Sequence, residues 1–208
     1  MAKLKFTKGE LKRQRDSLKQ FERYLPTLQL KKQQLQMKIL ETRRTLASRS
    51  KMLNTLVDDA GKWAGLLADE SVDVKGWITP EEVTMSATNI AGARVPVFED
   101  VFFQDVKINY YSSPFWIDSG LETMRNIVKL MAEVETIKTQ IYILERELRV
   151  TTQRVNLFEK VKIPECRENI RKITIYLGDQ QANAVGVSKV AKKKVEDRET
   201  AESELAAA

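Results

Sequence analysis

The chain has 208 residues, of which 31% are charged, and it contains only 8 glycines and 5 prolines. This composition favours long exposed helices over a globule with many turns. It contains no histidine and a single cysteine, which excludes His-based catalysis, an intramolecular disulfide and nearly all zinc and non-haem iron sites. We therefore expect no catalytic, metal or cofactor site.

The chain start lacks the apolar core of a signal peptide, and no segment approaches the roughly 18 apolar residues that a membrane span needs. A single cysteine is typical of a reducing compartment. We expect a cytoplasmic protein that reaches a membrane only through partners, with no direct membrane insertion.

A heptad repeat of apolar residues runs through the N-terminal third of the chain. Its a-type positions are Leu11, Leu18, Leu25, Lys32, Ile39, Leu46, Leu53, Ala60 and Leu67. Its d-type positions are Gln14, Phe21, Leu28, Leu35, Thr42, Arg49, Leu56 and Trp63. A seam held over eight heptads predicts a coiled-coil helix within residues 1–67. Thr7 and Glu10 are spaced as a capping box at its start, with Phe6 and Leu11 as a hydrophobic staple.

The middle of the chain, residues 68–112, differs in character and predicts a small lobe. β-branched and aromatic residues favour strands near 83–89 and 94–103, joined by a turn, and Pro96 places the second strand at an edge. Residues 1–51 hold 15 Lys or Arg against 4 acids, whereas residues 58–105 hold 10 acids against 3 basic residues. The N-terminal arm is therefore basic and the lobe acidic.

A second apolar series predicts a C-terminal coiled-coil helix within residues 113–208. It consists of Ile127, Leu130, Val134, Ile137, Ile141, Leu144, Leu148, Thr151, Val155 and Phe158. The helix is expected to start either at Ser113 as N-cap, followed by Pro114, or at a capping box formed by Ser119 and Glu122. We expect it to run to about residue 185, with a frayed mixed-charge tail after that.

Pro164 interrupts this series and coincides with a phase shift. The step from Val155 to Ile163 takes eight residues instead of seven, after which the stripe continues through Cys166 and Ile170. Cys166 lies on the apolar stripe, which predicts a buried core residue without a redox function.

Two long helices joined by about 50 residues are expected to fold back as an antiparallel pair. The predicted fold is mainly α, a long antiparallel two-helix coiled coil with a central lobe that contains a β-hairpin. In the expected register Leu46 faces Leu144, and Pro26 lies near the level of Pro164. The two prolines then share a level of weakened backbone hydrogen bonding, where the pair of helices can bend.

The sequence resembles the D subunit of the V/A-type rotary ATPases, the central axle of those complexes. Three segments carry the resemblance: RVNLFEKVKIP (Arg154 to Pro164), NIAGARVPVF (Asn89 to Phe98) and the stretch from Leu11 to Gln36. The order of helix, small β-containing lobe and helix agrees with that family over nearly the whole chain.

The resemblance implies a noncatalytic rotor shaft that transmits torque between ATP turnover in the head and ion translocation in the membrane ring. It implies as partners the small F subunit of the central stalk, the catalytic A and B subunits of the head, and the funnel subunit above the ring. Partner-contact or cross-helix roles are implied for Arg154, Asn156 and Glu159, and coupling roles are expected for Pro164 and Pro26. The chain lacks the G-x-x-x-x-G-K-[ST] phosphate loop, in agreement with a noncatalytic role.

Two other functions remain open from the residues. A nucleic-acid-binding coiled coil would use the same basic arm, but that arm lacks aromatic residues placed to stack on bases. A cytoplasmic coiled-coil scaffold or tether is the stronger alternative. Copurification with ATPase subunits distinguishes it from the axle.

Overall fold

The computed structural model describes residues 4–68, 74–105 and 114–206. The described elements, in chain order, are helix α1 (Lys8–Gly61), a 3-10 helix (Ala64–Ala68), helix α2 (Val74–Ile78), strands β1 (Pro80–Ile90) and β2 (Ala93–Phe103), helix α3 (Ile117–Leu157), a π-helical turn (Phe158–Lys162) and helix α4 (Ile163–Ala206). The predicted fold class, long terminal helices with a two-stranded antiparallel hairpin between them, is confirmed. Within the described ranges, no helix is both long and apolar enough to cross a membrane.

The chain forms two compact units. One contains the residues up to Leu28 together with those from Arg154 onward, and the other is Gln29–Gln153. We refer to them as the terminal unit and the middle unit. Because α1 crosses the boundary, it contributes a helix to each unit.

The helices run antiparallel within each unit. In the terminal unit, the ring of Phe6 lies 5.0 Å from that of Tyr176, and the ring of Phe21 lies 5.1 Å from that of Phe158. Positions later in α1 thus meet positions earlier in the C-terminal arm.

The middle unit shows the same direction of pairing. Lys31 forms an ion pair with Glu147, and Arg49 forms one with Glu133. The expected facing of Leu46 and Leu144 is wrong, because Leu144 is buried together with Leu35 and Ile39. The predicted register placed the end of the first helix at Leu67, but α1 ends six residues earlier at Gly61, so its facing positions lie nearer the N-terminus.

The heptad seams are confirmed by burial. The buried residues of α1 are Leu35, Ile39, Thr42 and Ala60. All four belong to the predicted a-type and d-type series. Every member of the C-terminal series from Ile127 to Phe158 is buried or half-buried. The two apolar series therefore form the surfaces on which the helices pack, as expected for a repeat close to 3.5 residues.

The N-terminal cap of α1 forms half of the predicted capping box. The backbone N–H of Glu10 donates to Thr7 Oγ1 at 3.2 Å. The carboxylate of Glu10 does not return this bond to Thr7 but accepts one from Gln14 Nε2 at 2.9 Å. Gln14 lies one helical turn after Glu10, so its side-chain amide is within reach of the Glu10 carboxylate.

Two other expected helix limits differ in the structure. Helix α3 begins at Ile117, so Ser119 lies inside its first turn and the capping box with Glu122 is wrong. The alternative cap, Ser113, lies outside the described residues. Helix α4 continues to Ala206 instead of ending near residue 185, and its alternating charges support it through pairs such as Lys192 with Glu196.

The hairpin has a two-residue turn at Ala91 and Gly92, with φ angles of 49° and 85°. Two consecutive positive φ values are typical of the type I′ turn, whose twist matches that of the flanking strands. The N–H of Gly92 donates to Asn89 Oδ1 at 2.9 Å, which closes the turn. The strands pair from Ile90 with Ala93 to Pro80 with Phe103, and thus extend beyond the predicted ranges.

We predict opposite effects for substitutions at the two turn positions. Gly92→Ala should destabilise the middle unit by about 1 kcal/mol, because a Cβ disfavours a left-handed backbone. Its new Cβ would meet Lys31 Nζ only at 3.6 Å, an ordinary contact, so the backbone angle carries the cost. Ala91→Gly should be neutral or stabilising for the same reason. Urea unfolding of both variants checks this, and equal losses of stability would contradict it.

Candidate interaction surfaces

The hairpin packs on the helix pair in the middle unit. Its buried residues Ala93 and Val95 join Leu35, Ile39 and Leu144 in one hydrophobic cluster. Three elements, α1, β2 and α3, therefore share a core at this level. The hairpin adds a second layer to what would otherwise be a seam between two helices.

Polar contacts continue this packing along α3. Gln140 Nε2 donates to the carbonyl of Pro96 at 2.6 Å, and Lys129 Nζ lies 2.9 Å from Asp100 Oδ1. The Lys129 contact, together with the N–H donated by Val101, holds the pKa of the Asp100 carboxyl below its usual range. Later residues of β2 contact earlier residues of α3, so the hairpin lies lengthwise along the helix.

Arg125 fixes the far end of the hairpin. Its guanidinium donates to the carbonyl oxygens of Trp77 at 3.2 Å and Gln104 at 2.8 Å, and it lies 5.1 Å from the ring centre of Phe103. A guanidinium presents several donors in a fixed plane, which allows it to join two backbone segments at once. Sequence reasoning missed this residue, because bonds to backbone carbonyls 48 and 21 positions away leave no pattern in the sequence.

The turn end of the hairpin lies beside an ion pair. Lys31 Nζ is 2.7 Å from Glu147 Oε1, and both side chains are about 30% exposed. A Cβ added at Gly92 of the turn would lie 3.6 Å from the same Lys31 nitrogen. Lys31 thereby joins α1 to α3 beside the turn of the hairpin.

The five residues predicted to contact partners or to affect coupling all lie in the terminal unit and are all exposed. Arg154 and Asn156 are in the last turns of α3, and Glu159 is in the π-helical turn. Pro164 lies in the first turn of α4, and Pro26 lies inside α1. The expected shared level of the two prolines is wrong, because Phe21 packs on Phe158 and each proline lies further along its own helix, in opposite directions of the antiparallel pair. Among the described residues, the side chains of Arg154, Asn156 and Glu159 form no hydrogen bond or ion pair with one another or with the rest of the chain.

The phase shift of the C-terminal seam is a π-helical turn. The N–H of Ile163 donates to the carbonyl of Phe158, five residues earlier, so this turn contains one residue more than an α-helical turn. Val155 and Ile163 are both buried, although eight residues separate them. The extra residue keeps both sides of the seam directed at α1.

Pro164 directly follows this turn. Proline has no N–H to donate, and in a regular α-helix its ring clashes with the carbonyl four residues earlier, here that of Lys160. A regular α-helical turn over Lys160–Pro164 is therefore disfavoured, and the wider turn before it is favoured. Cys166 is buried as predicted, and burial, followed by the charge of Glu165, raises the pKa of its thiol.

The sequence that forms these helices and the hairpin matches a known protein family. The family model for the D subunit of ATP synthase matches residues 10–193, which include all of β1, β2 and α3. The chain belongs to the ATP synthase D-subunit family.

Curated relatives agree with this family over nearly their full lengths. The chain is similar to the D subunit of the V-type ATP synthase of Borreliella burgdorferi, with 43% identity over 92% of this chain and 95% of the relative. It is 34% identical to proteins of the same name from Chlamydia pneumoniae, over 94% of each chain, and from Chlamydia caviae, over 99% of each chain. The family predicted from the three sequence segments is confirmed.

Proposed function

We propose that this chain is the noncatalytic central-stalk subunit, the rotor shaft, of a V-type ATPase or ATP synthase. It transmits torque between ATP turnover in the catalytic head and ion translocation in the membrane ring. Membership in the D-subunit family supports this role. The noncatalytic part of the proposal rests on a sequence without histidine and without a phosphate loop.

The observation that carries the mechanical role is the hairpin packed lengthwise along the helices of the middle unit. Two helices joined by one narrow seam resist twisting poorly, since their contacts lie close to a single line. The hairpin shares a core with both helices at Leu144 and is tied to α3 again at Gln140, Lys129 and Arg125. A third element that contacts the pair along its length opposes rotation of one helix about the other.

The proposed partners are the F subunit of the central stalk, the catalytic A and B subunits, and the funnel subunit above the membrane ring. The proposal includes neither nucleic acid nor direct membrane insertion. We also propose that the protein lies in the cytoplasm and joins the membrane through the complex. Arg154, Asn156, Glu159, Pro164 and Pro26 are proposed as partner-contact or coupling residues, and their exposure leaves them accessible to other subunits.

Assembly of the purified complex tests the role. The full chain should copurify with A, B and F subunits as one copy per head, and ATP turnover of complexes that lack it should no longer drive ion movement. Stable complexes with unrelated clients and none with ATPase subunits would instead support a scaffold or tether.

The contact residues are tested by a triple variant, Arg154→Ala, Asn156→Ala and Glu159→Ala. We expect its affinity for the rest of the complex to fall by about tenfold, as for loss of a few interface contacts. A matched control replaces an exposed arginine, amide and acid in the middle unit: Arg146→Ala, Gln34→Ala and Asp58→Ala. An equal effect of both triple variants on affinity would contradict a specific role for Arg154, Asn156 and Glu159.

A further inference from the structure

Three ion pairs join α1 to α3 in the middle unit, and all three have the same polarity. The cation lies on α1 and the acid on α3 each time: Lys31 with Glu147, Arg43 with Glu145, and Arg49 with Glu133. Lys31 Nζ lies 2.7 Å from Glu147 Oε1, and Arg49 Nε lies 3.0 Å from Glu133 Oε1. We call these three contacts the cross-helix pairs. Between Lys31 and Arg49 they extend along about 27 Å of α1.

The apolar seam alone distinguishes poorly between one register of the two helices and the next. Its residues recur every three or four positions, so a shift of one helix by seven residues again places seam residues opposite seam residues. At the position of Leu144, such a shift brings Ile137 or Thr151, and both are themselves buried. A shift by one heptad, about 10 Å along the helix axis, therefore keeps the seam closed.

The cross-helix pairs do distinguish these registers. Seven residues after the three acids lie Arg154, Thr152 and Gln140, and seven residues before them lie Gln140, Lys138 and Asn126. Neither set contains an acid, so a shift by one heptad in either direction removes all three attractions. One shift also places Lys31 opposite Arg154, and the other places Arg43 opposite Lys138.

The cross-helix pairs are partly shielded from water. The side chains of Lys31 and Glu147 are about 30% exposed, and that of Glu133 is 21% exposed. A single exposed pair contributes little to stability, but the choice between two registers depends on the difference between them. Here the difference consists of three lost attractions and one new repulsion. Charges beside an apolar seam select partner and orientation in coiled coils in the same way.

The hairpin does not fix the register of α1 by itself. Its polar contacts with Gln140, Lys129 and Arg125 are all contacts with α3. Its contacts with α1 in the hydrophobic cluster are made by Leu35 and Ile39, which are seam residues of the same heptad repeat. A shift of α1 can therefore leave the hairpin attached to α3.

The terminal unit has an ion pair of the opposite polarity. There, Glu22 of α1 pairs with Arg167 of α4, with 2.9 Å between the carboxylate oxygen and the guanidinium nitrogen. A shift by one heptad would place Glu22 opposite Thr174 or opposite Lys160. Because Lys160 would again attract Glu22, this pair opposes a shift in one direction only. The cross-helix pairs of the middle unit oppose both.

We propose that the cross-helix pairs set the register of α1 against α3 and the hairpin. This inference goes beyond the proposed function and does not depend on it, because it concerns contacts within one chain. The register decides which residues of α1 lie beside the hairpin, as Leu35 and Ile39 do. It thereby decides which faces of α1 the middle unit leaves exposed.

The test compares three variants of the full chain. The reversal variant carries Lys31→Glu, Arg43→Glu and Arg49→Glu, which makes every cross-helix pair repulsive. The compensated variant adds Glu133→Lys, Glu145→Lys and Glu147→Lys, which restores the three attractions with opposite polarity. The control carries Arg44→Glu, Lys51→Glu and Lys75→Glu, which changes the net charge as the reversal variant does. Its three positions are exposed and form no ion pair within the described part of the middle unit.

The register is measured as the distance between spin labels at Met37→Cys on α1 and Met131→Cys on α3. These side chains are 73% and 55% exposed. All chains also carry Cys166→Ala, which removes the single native cysteine, and labelled chains are diluted with unlabelled ones so that only distances within one chain are measured. Met131 lies two residues from Glu133, whose partner Arg49 is well beyond Met37 along α1. The two labels therefore differ in height, and a shift by one heptad changes their distance by about 5 to 10 Å.

We expect a single distance in the parent, the control and the compensated variant. The reversal variant should show a second distance, because the acid introduced at position 31 meets Arg154 in one shifted register and the acid at position 43 meets Lys138 in the other. A folded reversal variant with the parent distance alone would overturn the inference. A second distance in the control would assign the effect to net charge and overturn it as well.

Circular dichroism covers the case in which the reversal variant does not fold. Recovery of both the helix content and the parent distance in the compensated variant would then support the inference, since only the complementarity of sign is restored. If the compensated variant recovers neither, the particular side chains matter and not their charges, and the inference is wrong.

Discussion

Leu144→Ala should lower the free energy of unfolding of the middle unit by about 3 kcal/mol, within the range known for leucine truncations in cores. Leu144 has no exposed surface, and its cluster joins α1, β2 and α3. Truncation leaves a cavity that three separate elements border. Since these elements are fixed by the seam on one side and by the hairpin contacts on the other, the cavity cannot collapse easily.

The same variant should loosen the hairpin before it separates the helices. The hairpin contributes Ala93 and Val95 to the cluster, and both are small, so Leu144 supplies much of the surface on which they pack. Amide hydrogen exchange should therefore increase in β2 more than in the middle of α3.

Tyr142→Ala is the matched control for Leu144→Ala. It removes a larger side chain two residues away on the same helix, but that side chain is 68% exposed. Its effect on stability should stay below about 1 kcal/mol. A similar loss for both variants in urea unfolding would show that the cluster does not hold the hairpin in place.

The local elements of this fold could be predicted from the sequence because each has its own period or turn signal. The heptad positions Leu35, Ile39 and Thr42 are buried as expected, and the hairpin forms around the turn that the Asn-Ile-Ala-Gly segment indicates. These signals act over a few residues. The charge of the N-terminal arm is also visible in the sequence, although a count of charges does not show which of them form ion pairs with α3.

The long-range contacts could not be predicted in the same way. The register of α1 against α3 depends on where α1 ends. The apolar heptad series continues through Trp63 and Leu67, although the helix itself ends at Gly61, so the series overstates the length of the helix. The hairpin lies along α3 through carbonyl contacts of Gln140 and Arg125, which other polar side chains of similar length could equally offer. Such contacts are fixed by the packed core and not by local sequence.

The π-helical turn could be predicted only in part from the sequence. The eight-residue step from Val155 to Ile163 is visible in the sequence, but a break, a bend or a wider turn would each account for it. The bond from the Ile163 N–H to the Phe158 carbonyl shows a wider turn within a continuous helical path. The extra residue is confined to the turn Phe158–Lys162, so a deletion inside this turn and a deletion outside it should differ in their effect on stability.

Deleting Val161 together with the substitution Pro164→Ala should leave the terminal unit about as stable as before, within roughly 1 kcal/mol. Val161 is exposed, and its removal shortens the step from Val155 to Ile163 to seven residues, which a regular α-helix accommodates in the seam. Alanine at position 164 restores the backbone donor that this regular turn requires. The single variant Pro164→Ala separates the effect of the proline from that of the deletion.

Deleting Glu168 instead should cost several kcal/mol, about 3 or more. The deletion shortens the seven-residue step between the buried residues Cys166 and Ile173 to six, and one residue corresponds to about 100° of rotation. Ile173, which has no exposed surface, would turn out of the seam together with the residues after it. Urea unfolding of the two deletion variants measures the difference directly. If both deletions cost the same, the extra residue is not confined to Phe158–Lys162, and the seam must absorb a missing residue equally well at either position.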